Sequence, residues 1–115
     1  MRVALLLAVL TTLFGVGGMA MAAEPIAKIS VLSSGNLLLD GKSTTLVALD
    51  SALATIKASN GVVWYYRENA AAEPPPVSSK VIELVIKHRL PVSMSTKPDF
   101  SDAVGADGRS HPREP

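Results

Sequence analysis

Few side chains in this sequence have the type and spacing that chemistry needs. Histidine occurs twice, as His88 and His111. An imidazole can act as a general base or a metal ligand. His88, however, closes an apolar run of helical period, and no second ligand type stands three or four residues from it. That placement suits a half-buried group complementing the negative end of a helix dipole. His111 lies in a polar stretch with Asp99, Asp102 and Asp107. Three aspartates can gather a cation, but the spacing and closing glutamate of a calcium loop are missing. Serines are frequent, yet no Gly-x-Ser-x-Gly occurs, and no glycine-rich loop suits a phosphate. Trp64, Tyr65 and Tyr66 can stack on a sugar or a base. Strand alternation lets only part of the trio reach one surface. The residues therefore predict no catalytic, cofactor-binding or metal site, and a binding module in place of an enzyme. A small secreted enzyme using His88 is the alternative, and it lacks a paired nucleophile or base.

The elements that position these groups follow from periodicity. Gly61-Val62-Val63-Trp64-Tyr65-Tyr66-Arg67 is a run of β-formers with turn residues at both ends, and it predicts a central strand. Alternation groups Val62, Trp64 and Tyr66 on one face and Val63, Tyr65 and Arg67 on the other. The first set is bulkier and more apolar, so it is assigned to the core. Val63, Tyr65 and Arg67 are then left as candidate partner-contact residues. Ala27 to Ser33 alternates, with Ile29 and Val31 facing one way. Gly35 suits a turn, and Leu37-Leu38-Leu39 returns as a second strand ended by Asp40-Gly41. Leu46, Leu49, Leu53 and Ile56 make one stripe of a helix capped by Thr45. Ala70 to Pro76 predicts a stiff loop, and Val77 to Arg89 a second helix capped by Ser78 or Ser79. Pro91 stops that helix, and Val92 to Thr96 is a last strand. Residues 98–115 hold prolines, glycines and few apolar side chains, so they predict a disordered tail. The order β-β-α-β-α-β predicts a small α+β domain: a mixed sheet with both helices on one face.

The 115 residues carry a formal charge of +1 and no cysteine. One domain fits that length. Arg2 and the apolar run Val3 to Val16 precede Gly17-Gly18 and the small residues Ala20-Met21-Ala22-Ala23, which predicts a cleaved signal peptide over 1–23. An uncleaved membrane anchor is the alternative, since Val3 to Ala23 is close to the roughly 20 residues of a span. Losing Arg2 makes the rest formally neutral, which gives no support for nucleic-acid binding. Without cysteine there is neither a disulfide framework nor a lipid attachment.

Ile29-Ser30-Val31, Gly35, Leu37-Leu38-Leu39-Asp40-Gly41-Lys42 and the capped helix from Leu46 together resemble the periplasmic domain of the ExbD/TolR family of biopolymer-transport proteins. The resemblance covers roughly Ile29 to Thr96. It implies an exported, periplasmic envelope domain over 24–97 that forms a homodimer and contacts the cell wall (peptidoglycan) or an envelope protein, without a cofactor. Two departures limit what carries over. The N-terminal apolar segment has no acidic residue, so the family's proton-handling role has no residue to bear it. Arg67-Glu68-Asn69 stands where the family's strand ends in Ala-Asp. An accessory subunit of a transport complex, anchored by the N-terminal segment, is the other function this resemblance implies.

Overall fold

The structure is a computed structural model and describes residues 25–113. The expected signal peptide over 1–23 lies outside the described residues. β1 (Ile26–Val31) turns back through Gly35, at φ 91°, into β2 (Leu37–Leu39), which pairs with it antiparallel. Asp40 and Gly41 both take positive φ, 52° and 83°. This is the backbone of a two-residue hairpin turn, and it leads into a strand that the sequence reading did not assign, β3 (Lys42–Thr44). Lys28 N–H donates to Asp40 Oδ1 at 3.1 Å, and Asp40 N–H donates to Lys28 O at 2.8 Å. The turn is thereby tied to β1 as well.

α1 (Leu46–Ala58) starts at Thr45, whose hydroxyl accepts from Ala48 N–H at 3.1 Å, as expected of the cap. Asn60, at φ 56°, takes the left-handed position after the helix. Gly61 is needed for a different reason. A Cβ there would sit 2.6 Å from Pro25 O and 2.7 Å from Ile56 Cγ2. β4 (Val62–Arg67) then runs parallel to β1. α2 (Pro76–Lys87) begins inside the proline run, not at Val77. Proline suits the first helical position because the N–H it lacks would be unpaired there. Ser78 and Ser79 do not cap the helix; the Ser78 hydroxyl donates back to Pro75 O at 2.9 Å. β5 (Val92–Ser95) pairs parallel with β4.

The sheet order is β3-β2-β1-β4-β5, a mixed sheet in an α+β domain, as expected. Leu49 and Leu53 of α1 and Val81 and Val85 of α2 share one core with Ala27, Ile29, Val31, Val63 and Tyr65. Both helices therefore cover the same face. Burial of that core is the main favourable term holding the layers together.

Two expectations are corrected here. Val63 is fully buried and Tyr65 is 7% exposed, so they face the helices, and Val62, Trp64 and Tyr66 face the other way. Side-chain bulk misassigned the faces because this inner strand is covered on both sides. The second cover is the segment expected to be disordered. β6 (Asp102–Val104) and β7 (Ser110–Pro112) form an antiparallel hairpin, and Phe100 ahead of it is buried against the sheet. The ring of Phe100 lies 6.4 Å from that of Trp64 and meets Tyr66 edge-on at 6.2 Å. Aromatic pairs at these spacings attract beyond simple burial.

Candidate functional site

His88 follows the last turn of α2, and its Nε2 lies 2.6 Å from Asp50 Oδ1 on α1. Lys87 Nζ donates to the same carboxylate at 3.0 Å. Asp50 is held below the usual carboxylate range, first by the His88 bond and then by the Lys87 bond. Asp50 is not legible as part of this group in the sequence, because it lies 38 residues from His88 in the chain. A carboxylate oriented on an imidazole is part of what acyl-transfer catalysis uses. Here the carboxylate sits on α1 and both of its partners, Lys87 and His88, at the end of α2. The hydrogen bonds of Asp50 to Lys87 and His88 clip α1 to the end of α2.

A second node lies at the end of β5. The Asp102 carboxylate is 2% exposed. It accepts from Ser110 Oγ at 2.6 Å, Thr96 Oγ1 at 2.5 Å, Thr96 N–H at 3.0 Å and Lys97 N–H at 3.2 Å. Its pKa is driven far below the ordinary value, chiefly by the Ser110 and Thr96 hydroxyls. The carboxylate thus anchors the hairpin to the last strand. Asp107 pairs with His111 at 3.0 Å and accepts from Arg109 N–H at 3.0 Å, within the hairpin loop. Asp99 accepts from Ser101 N–H at 3.0 Å. The three aspartates are thus engaged separately. Among the described residues no group of three or more potential ligands is placed to hold a metal.

Arg113 completes the cover of the sheet. Its guanidinium lies 3.7 Å from the centre of the Trp64 ring. Its Nε donates to Phe100 O at 2.9 Å, Nη1 to Ser93 Oγ at 3.1 Å and Nη2 to Ser95 Oγ at 2.8 Å. Stacking plus donors in a fixed fork is a geometry that arginine supplies and lysine does not. Burial lowers the pKa of Arg113 and the Asp102 charge raises it.

Of the candidate contact residues, Val63 and Tyr65 are core, and burial raises the Tyr65 phenol. Arg67 is half-buried and donates to Ala70 O at 2.8 Å and Ala72 O at 3.2 Å, fastening the loop after β4. None of the three forms a free contact surface. The exposed large apolar residues lie elsewhere: Val47 and Ile86 on the helices, and Val92 and Met94 on β5.

One open pocket of about 350 Å³ is lined by Leu46, Lys80, Glu83, Leu84 and Lys87. Another, of about 330 Å³, lies between Gly35, Thr44, Thr45 and Val77. Both reach the lower end of small-ligand sites in volume. No protein-family model matches this chain, and no curated protein matches its sequence. Among the described residues no helix is long and apolar enough to cross a membrane.

Proposed function

We propose that this protein is an exported, non-catalytic binding and assembly module of the ExbD/TolR-like kind. It acts in the cell envelope through contact with a second copy of itself and with an envelope protein or peptidoglycan. The observation that carries this reading is the condition of β5. It is an outer strand of the sheet, and Val92 and Met94 on it are 42% and 40% exposed. An unpaired strand edge is a template for another chain. Several ionisable groups are meanwhile engaged in joining elements: Asp50 with His88, Asp102 with Thr96 and Ser110, and Glu68 with Ser33.

A photo-crosslinking side chain at Val92, in the full-length gene expressed in cells, tests the reading. Adducts to a second copy or to an envelope protein are expected, from the envelope fraction and not from the cytoplasm. Absence of both adducts, with no co-sedimentation of the protein with peptidoglycan, overturns it.

A further inference from the structure

The bonds between β4 and β5 decide which backbone groups of β5 are free. Val63 N–H donates to Pro91 O at 2.9 Å, and Val63 lies opposite Val92. In a parallel ladder this makes Ser93 and Ser95 the residues bonded to β4. Val92, Met94 and Thr96 then turn their N–H and C=O groups outward, away from the sheet.

That outward edge is closed at both ends. Thr96 N–H is taken by the Asp102 carboxylate at 3.0 Å. At the other end Pro91 has no N–H to give, and Leu90 N–H donates to Val85 O at 3.2 Å. Between these stops, the outward backbone groups of Val92 and Met94 have no hydrogen-bond partner among the described residues. Their side chains share the helix-side face, in register with Val63 and Tyr65.

We propose that this short window docks against the same strand of a second copy, antiparallel, with Val92 opposite the partner's Met94 and the twofold axis at Ser93. The inference rests on the assembly reading above and adds the surface and the register. In an antiparallel ladder a bonded pair exchanges both of its hydrogen bonds. The Val92–Met94 register makes bonded pairs of both residues and uses every free group. Sliding by one pair sets Val92 against the partner's Thr96, whose N–H is already held by a carboxylate. Sliding the other way sets Met94 against the partner's Leu90, whose N–H is already inside a helix-end turn. The chosen register also places valine beside methionine twice, so the cross-strand neighbours are apolar on both sides of the axis. A symmetric pair closes on itself and leaves no growing end.

Met94→Pro tests the edge. It removes one outward N–H and takes nothing from the β4 ladder, and the extended residue before it suits a proline. In sedimentation equilibrium the full-length wild-type protein as exported is expected to be a dimer. The variant, with unchanged far-UV circular dichroism, is expected to associate roughly tenfold or more weakly. Hydrogen exchange on the unmodified protein reads the same surface without a variant: the Val92 and Met94 amides gain protection as concentration rises. A wild-type dimer that Met94→Pro leaves intact, with those amides unprotected, overturns this edge while the assembly reading stands. A wild type that stays monomeric at high micromolar concentration overturns self-pairing, even if the edge then takes an extended segment of another protein.

Discussion

Arg113 shows how much one side chain holds. It donates three hydrogen bonds and stacks on a ring, and the groups it joins come from β4, β5 and the Phe100 turn. Charged hydrogen bonds contribute about 1.5–3 kcal/mol each and a cation–π contact about 0.5–2, and such terms do not add fully. Arg113→Ala is expected to cost about 2 kcal/mol in urea unfolding, and Arg113→Lys to recover only part of it. Acid sensitivity belongs to the same scale. Asp102 and Asp50 both have folded-state pKa values depressed below the unfolded one. Their stabilisation is therefore full above about pH 4, the unfolded value, and is lost as pH falls below it through the folded values. Unfolding free energy measured from pH 6 to pH 2 should drop over the lower half of that range. Asp102→Asn should flatten the drop, because the variant has no proton to take up there. Neither residue was legible as a hub beforehand. Hydrogen bonds to Asp102 depend on the chain folding back past Pro98, and charge spacing alone does not report that.

Among the elements, α1 is the one the sequence states most fully. Its cap is Thr45, and the stripe residues Leu49 and Leu53 are fully buried. Leu53→Ala is expected to cost about 2–5 kcal/mol, whereas Val47→Ala, at a site 81% exposed, should leave the melting temperature nearly unchanged. Equal effects of the two would place the stripe wrongly. The strands were legible less evenly. β1, β2, β4 and β5 follow from alternation and turn residues. β3 was missed although Asp40-Gly41 is the strongest short hairpin signal there is, because Lys42-Ser43-Thr44 is polar and was absorbed into the approach to α1. β6 and β7 were missed because the prolines and glycines of 98–115 read as a disordered tail, although Asp107-Gly108 again marks the bend. The face of β4 was inverted because bulk was equated with the helix-side core. Trp64 and Tyr66 are large because they meet Phe100 and Arg113, partners more than thirty residues on in the chain. No local pattern carries that pairing. Val63 and Tyr65, expected on the open face, lie in the core for the same reason.

At the level of the whole molecule, two matters are decided apart from the core. The N-terminal stretch predicts export with cleavage after Ala22 or Ala23, so intact mass of the exported protein should place its first residue at Ala23 or Glu24. Recovery of the full-length chain in the membrane fraction would replace the signal peptide with an anchor. The other matter is layering. Helices cover one side of the sheet, and the turn at Phe100 with its hairpin covers the other. Trp64, the only tryptophan, lies in the second layer beneath Arg113. The chain thus carries an optical probe placed at the strap and away from the helix-side core. Tryptophan emission should follow the strap, and far-UV circular dichroism the helices. If the strap comes away as a cooperative unit of its own, the emission curve will move at lower denaturant than the dichroism curve; coincident curves will mean that both layers melt together.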